Sequence, residues 1–432
     1  MPKALIITYY WPPAGSSGVQ RWLKFVKYLR DFGWEPLVYT ANNPEVSAID
    51  ESLLSDIPDG VEVIRRNVPE PYGIYKFLTG NRKKKIGVGF TSDSTKKRSI
   101  INSIAIWIRG NFFIPDARMF WIAPSASFLS KYLRNNPVDL IISTGPPHSL
   151  HLIGLKLSRK LNIPWIADFR DPWTDIYFYK DLKLTWLADS INRRFERKVL
   201  KNADLTVVVS KSMADRFKKI GAKKIEIIPN GFDHTDYSHN VTLNNTVFSL
   251  VHVGTIPPNS NSDKFWKAIS KMAENNTEFR EKLQIRFVGN VDKSVIESLK
   301  GCKLFDKAEF LGYKPHSEIP SIQKSAQVLL VFIPSTSKEI LTGKIFEYLA
   351  AKRPVIAIGP VGGDLDALLI GTGAGIMLPC DSETEIYEGL KWVWEGYKLG
   401  WSNFNPRNIE QYSRKELTKR IAELMNKVIT RQ

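Results

Sequence analysis

ALIITYYWPPAGSSGVQRWLKFVKYLRDFG, residues 4–33, sets the frame for the whole chain. Its opening ALIITYY has the β-branched and aromatic composition of a strand. Val19, Trp22, Leu23 and Val26 then recur at the spacing of one helix face, and Gly33 stands where a helix C-cap is expected. Between strand and helix lies a loop with Gly15 and Gly18. Glycines there let the backbone approach a ligand, and the following helix offers free N–H groups to it. The loop is not Gly-x-Gly-x-x-Gly, and no acidic ribose partner ends the second strand, which disfavours a nicotinamide cofactor.

The strand–helix alternation continues. Further strands are expected at 62–65, 138–143, 164–168, 205–210 and 225–229, which argues for a parallel α/β sheet. After IPNGFD comes HTDYSHNVTLNNT, polar and without periodicity, and then a second series: VFSLVHV, QIRFVG, AEFLGY, QVLLVFI, RPVIAIG and AGIMLP. Two α/β series joined by a polar stretch imply two similar domains facing a central cleft. The expected boundaries are 1–234, a linker at 235–246, 247–411, and an amphipathic C-terminal helix at 412–432.

Composition narrows the function classes. The chain has 432 residues, two cysteines and a formal net charge of +17. With Cys302 and Cys380 alone, and no Cys/His pair at metal-ligand spacing, neither a disulfide framework nor a structural zinc is expected, and a cytoplasmic setting fits. No signal peptide and no membrane-spanning segment is expected. The positive charge favours polyanionic partners: nucleic acid, anionic lipid or phosphorylated small molecules. No nucleic-acid-binding module is recognisable, so nucleic acid is not expected. Arg82, Lys83, Lys84, Lys85, Lys96, Lys97 and Arg98 precede Ile104, Trp107, Ile108, Phe112 and Phe113 within 81–121. That order suits a segment resting on an anionic membrane.

Three places carry candidate chemistry. IPWIADFRDPW puts Asp168, Arg170 and Asp171 at the C-terminal end of a strand, the edge where open α/β sheets bind ligands. His148 and His151 follow another strand. In SKEILTGKIFEYLAAKRPVIAIGP, residues 337–360, Thr342 is the expected N-cap of a helix opened by Gly343, with Lys344 and Glu347 on one face. No glycine stands five residues before Gly343, so this is not a P-loop. A helix N-terminus with a lysine suits a diphosphate, and carboxylates suit hydroxyl groups. Together these describe a nucleotide sugar.

These motifs resemble the group 1 (family 4) glycosyltransferases, two-domain enzymes of the GT-B type. The resemblance rests on Glu339 and Glu347 in Glu-x(7)-Glu spacing, FEYLAAKRPVIA after them, IPNGFD at the linker and HVGTI at the second domain's first turn. It implies that the final helix returns to the N-terminal domain, which binds the acceptor, while the C-terminal domain binds the donor. Glu347 would hold the ribose and Glu339 the transferred sugar. Gly15, Gly18, Gly254, Thr255, Thr342, Gly343 and Lys344 would lie beside the donor, and His148 and Asp171 on the acceptor side.

Two departures stand out. Such enzymes carry Arg and Lys shortly after the glycine of the HVGTI turn, whereas this chain has Thr255 and Ser260, leaving Lys344 or Lys264 as substitutes. They also carry a histidine where this chain reads DFRD, making Asp168, with Arg170, the candidate catalytic group. The implied function is retaining sugar transfer from a nucleotide sugar to a lipid-linked or polysaccharide acceptor in cell-envelope synthesis. It would need no cofactor and no obligatory metal, and would take place in the cytoplasm at the inner membrane face. The alternatives are a non-catalytic nucleotide-sugar-binding protein and a nucleotide-sugar epimerase.

Overall fold

The computed structural model describes residues 1–15, 17–46, 48–69, 100–176, 179–401 and 404–430. The expected basic cluster at 82–85 and 96–98 lies outside the described residues. The chain divides into two compact units, Met1–Pro229 with Lys415–Gln432, and Asn230–Arg414.

The first unit holds β1 (Lys3–Ile7), β2 (Glu35–Ala41), β3 (Glu62–Arg66), β4 (Leu140–Gly145), β5 (Trp165–Phe169), β6 (Leu205–Val208) and β7 (Ile225–Ile227). They form a parallel sheet in the order β3-β2-β1-β4-β5-β6-β7. The helix Ser17–Leu29 buries Val19, Trp22, Leu23 and Val26 as its periodicity requires, and Gly33 takes the left-handed C-cap with φ 78°. The closing helix, Arg414–Ile429, packs Leu417, Ile421, Ala422 and Met425 into this unit's core. Its Asn426 accepts a hydrogen bond from Trp34 Nε1 at 3.0 Å.

The second unit holds β8 (Phe248–Val253), β9 (Leu283–Val288), β10 (Ala308–Gly312), β11 (Val328–Phe332), β12 (Val355–Gly359) and β13 (Gly375–Pro379). Their parallel order, β10-β9-β8-β11-β12-β13, repeats the pattern of the first sheet. Side chains alternate between two cores: Leu330 and Phe332 of β11 belong to one, Leu329 and Val331 to the other. The polar stretch after IPNGFD is not a bare connection. Lys324 Nζ donates to the Tyr237 and His239 carbonyls, and Gln327 donates to Asn244 and Asn245, so this stretch is fastened to the second unit.

In each sheet the chain reverses its direction of strand addition once, between β1 and β4 and between β8 and β11. Loops leaving neighbouring strands diverge at such a point and leave a crevice at the strands' C-terminal edge. Both groups of candidate residues sit there.

Candidate functional site

In the second unit, β8 runs into the turn at Gly254, and β11 leads through a loop into the helix Gly343–Ala351. Thr342 caps that helix, its hydroxyl accepting from Lys344 N at 3.4 Å. Tyr348, fully buried on the same helix, accepts from Val253 N at 3.0 Å and donates to the Leu330 carbonyl at 3.2 Å. One hydroxyl thus ties the helix to the end of β8 and the middle of β11.

This tie brings Lys344 over the turn. A Cβ at Gly254 would lie 2.2 Å from Lys344 Nζ, and Gly254 takes φ 119°, where glycine is favoured. The half-buried amine makes no hydrogen bond or ion pair with any other described residue. Burial pulls it down to about 8, against the opposing charge of Glu347. His252 lies buried behind the turn, its Nδ1 against the Leu330 carbonyl at 3.0 Å. Burial and the charge of Lys344 push this imidazole down to about 3. Lys264 is placed elsewhere: its amine donates to the Asp381 carbonyl. Of the two lysines weighed as stand-ins for the absent Arg/Lys pair, Lys344 is therefore the one at the turn.

Glu347 is oriented from behind. Gln323, fully buried, donates from Nε2 to Glu347 Oε2 at 3.1 Å and accepts from the Tyr237 hydroxyl. Neither Gln323 nor Tyr237 was singled out from the sequence. Glu339 is exposed on the loop before the helix. That loop is pinned by Asp364 N donating to the Lys338 carbonyl at 3.2 Å, and a Cβ at Gly363 would meet the same carbonyl at 2.1 Å. Thr255 is exposed beyond the turn, whereas Ser260 is buried.

In the first unit, Asp168 lies at the end of β5, where the strand edge was expected to carry it, and is fully buried. Arg21 grips it through Nε at 3.1 Å and Nη2 at 2.7 Å, Trp22 Nε1 donates at 2.7 Å and Thr144 Oγ1 at 2.8 Å. Burial alone would raise this carboxyl; the Arg21 charge and the hydrogen bonds outweigh it and hold it below its usual range. Arg21 also donates to the Ile228 and Pro229 carbonyls, each at 2.9 Å. The partner of Asp168 is thus Arg21 rather than Arg170, and the pair fastens the helix Ser17–Leu29 to β5 and to the residues after β7.

Arg170, half-buried, is a clamp between the start of the helix Ser17–Leu29 and the end of β4. It donates to the Gly18 carbonyl at 2.6 Å, to Gly145 at 3.2 Å and to the Pro146 carbonyl. A Cβ at Gly15 would lie 2.9 Å from Asp50 Cβ and 3.2 Å from its backbone nitrogen, so packing within this unit requires that glycine, whereas one at Gly18 would lie 2.8 Å from the movable end of Arg170. Asp171 is half-buried beside Arg170, without a hydrogen-bond partner among the described residues; burial raises it, opposed by the Arg170 charge.

His148 stacks on Trp173 with ring centroids 4.9 Å apart and planes 5° from parallel. Burial takes it down to about 4, so it is neutral at pH 7. His151 is buried against the Ser143 hydroxyl at 2.9 Å. The next helix, Ser149–Leu161, has its first turn fixed by Asp116, which accepts from Ser149 N and Oγ at 2.9 and 2.7 Å. Sequence reading passed over Asp116, which stands in an irregular stretch distant in the chain. Among the described residues no group of three or more His, Cys, Asp or Glu is arranged to hold a metal ion.

Residues 90–236 match Glycosyltransferase Family 4, and residues 247–395 match Glycosyl transferases group 1, together about two thirds of the chain. No curated protein matches the sequence. Among solved structures, sucrose-phosphate synthase from Thermosynechococcus elongatus aligns over 100% of both chains, with TM-score 0.64 at 14% identity. HepE of Anabaena, solved in complex with UDP-glucose, aligns over 100% of this chain and 99% of its own, with TM-score 0.57 at 15% identity. UDP-GlcNAc 2-epimerase from Methanocaldococcus jannaschii aligns over 98% of this chain and 99% of its own, with TM-score 0.54 at 13% identity. At such identities the likeness is one of fold.

Proposed function

Because the chain belongs to the group 1 glycosyltransferases and has the GT-B fold, we propose that it moves a sugar from a nucleotide donor, with retention, onto a lipid-linked or polysaccharide acceptor of the cell envelope. The observation that carries this reading is the Lys344 amine standing over Gly254 at the capped end of the helix Gly343–Ala351. Beside it, Glu347 is held by Gln323. A cation, a turn without a side chain and free helix N–H groups suit a diphosphate; an oriented carboxylate one turn on suits a ribose.

In this reading Lys344 and the first N–H groups of the helix stabilise the negative charge that grows on the leaving diphosphate. Glu347 accepts hydrogen bonds from the ribose hydroxyls, and Glu339 from the transferred sugar. Gly254, Thr255, Thr342 and Gly343 lend backbone and hydroxyl contacts. The first unit receives the acceptor, with neutral His148 and Asp171 nearest to it and Arg170 joining the start of the helix Ser17–Leu29 to the end of β4. Asp168 acts at one remove, by fixing Arg21. Lys344 supplies the charge that a metal would otherwise bring, so the reading requires neither metal nor cofactor. No helix among the described residues is long and apolar enough to cross a membrane. We place the work at the cytoplasmic face, with the protein held peripherally on anionic lipid and without nucleic acid.

The test is a thermal-shift panel of nucleotide sugars, since a bound donor raises stability by mass action, followed by product analysis with the best binder. A glycosylated acceptor supports the proposal. An epimerised free nucleotide sugar, or binding without any turnover, overturns it in favour of an epimerase or a binding protein.

A further inference from the structure

We propose that the exposed apolar side chains of the helix Ile100–Phe112 and of the first turn of the helix Trp186–Asn202 form one surface that inserts into the headgroup layer of an anionic lipid bilayer. The inference rests on the peripheral attachment proposed above and names the groups that make it.

Six large apolar residues lie open on these two elements. Trp186 is 82% exposed, Phe112 64%, Leu187 62% and Ile104 52%, and Trp107 and Ile108 are also exposed. Single exposed apolar residues are ordinary on a soluble surface, but several on adjoining elements mark an interaction site. The elements do adjoin. Asn111, in the last turn of the first helix, donates to the Lys183 carbonyl at 3.3 Å and accepts from Thr185 N at 2.6 Å. A Cβ at Gly110 would meet the Leu182 carbonyl at 2.8 Å. Thr185 in turn caps the second helix, its hydroxyl accepting from Ala188 N at 3.3 Å. Trp186 and Leu187 therefore emerge directly from the junction that holds the end of Ile100–Phe112, where the Trp107 and Phe112 rings meet at 5.8 Å. In the sequence Trp186 and Leu187 stand 74 and 75 positions beyond Phe112, so nothing in the local pattern joins them to it.

Charge decides the occupant. Lys180 and Lys183 are exposed beside the patch, with Asp181 between them, and Lys96, Lys97 and Arg98 precede the first helix in sequence. Two copies of a chain with a formal net charge of +17 repel each other, whereas an anionic leaflet attracts it and accepts tryptophan at its interfacial depth. Basic side chains beside exposed Trp, Leu and Phe are the composition of a segment that lies in the interface plane without spanning it.

The full chain is tested by co-sedimentation with vesicles of phosphatidylcholine containing about 30 mol % phosphatidylglycerol, a strongly anionic surface, and with pure phosphatidylcholine. Two variants follow, W186S/L187S and W107S/F112S, with Trp186→Phe as the conservative control. Each double variant should lose roughly tenfold or more in partition to anionic vesicles, while Trp186→Phe keeps most of it. Melting temperature and UDP affinity should stay unchanged, because these positions are exposed and the candidate donor residues lie in the second unit. Double variants that bind vesicles as the parent does would overturn the proposal. So would equal parental binding to both vesicle types, no parental binding to either, or a lipid-free dimer that the variants convert to monomer. Turnover of a water-soluble acceptor by a parent that binds no vesicle would sink the membrane surface alone and leave sugar transfer standing.

Discussion

A half-buried ammonium with no carboxylate or carbonyl among the described residues to receive its hydrogen bonds is costly to a protein with nothing bound. Lys344 is such a group, and the cost makes sense if an anion completes its surroundings. Lys344→Met keeps most of the stem and removes the charge. It should raise the melting temperature of the unliganded protein while weakening UDP binding by roughly tenfold or more, the loss of one charged hydrogen bond of about 1.5–3 kcal/mol. Scanning calorimetry and titration calorimetry read the two halves; a variant that binds UDP as the parent does would remove Lys344 from the site. The sign with pH follows from the amine's position near 8. Below that value Lys344 is charged and UDP affinity should be high; above it the amine is neutral and affinity should fall, while the methionine variant stays flat. Asp168 poses the opposite case. Removing one partner of a buried ion pair leaves the other uncompensated, so Asp168→Ala should destabilise the protein by about 3–5 kcal/mol, read in urea unfolding. Its depressed carboxyl stabilises the fold above the unfolded-state value and loses that contribution as pH falls through the folded one. A loss of turnover in that variant without loss of stability would return Asp168 to direct chemistry.

At the scale of elements, the helix Gly343–Ala351 is useful because Tyr348 fixes it to β8 and β11 at once. Gly254→Ala tests how closely turn and helix must meet. Its new methyl would displace the Lys344 amine and strain a backbone at φ 119°, so UDP affinity should fall several-fold in titration calorimetry with only a modest drop in melting temperature. Unchanged affinity would show that the amine acts from another position. The same elements show what could be read from the chain. All six strands of the second sheet and six of the first sheet's seven were legible, because strand and helix periodicities alternate there; β2 had no expected range. The cap at Thr342 and the pair Lys344 and Glu347 were legible because a cap and a helix face are local. Arg21 was not: it sits on a helix whose apolar face alone carries the pattern, and its partner Asp168 lies 147 positions away. Gln323 and Tyr237 escaped for the same reason, since a neutral side chain that orients a carboxylate 24 positions further on leaves no spacing to find. The choice between Lys344 and Lys264 needed the approach of the amine to Gly254, which only folding supplies.

At the scale of the molecule, the first unit is made from two separate lengths of chain, and the second is one uninterrupted length. Leu417, Ile421 and Met425 each bury an apolar side chain in the first unit's core, and each contributes about 1.5–3 kcal/mol. Deleting 415–432 should therefore lower the unfolding temperature of the first unit while leaving the UDP-induced shift of the second in place. If both were lost together, the two units would not be separable in stability. The discontinuity also has a consequence in time. On the ribosome the strands of the first unit emerge first but wait, missing the helix that covers part of their core, until the whole of the second unit has been translated. The second unit needs nothing made later and can close as soon as its own last strand and helices are free of the exit tunnel. A message that ends just after Arg414 should thus yield a closed second unit beside an open, protease-sensitive first unit, which limited proteolysis of such a truncated chain would read.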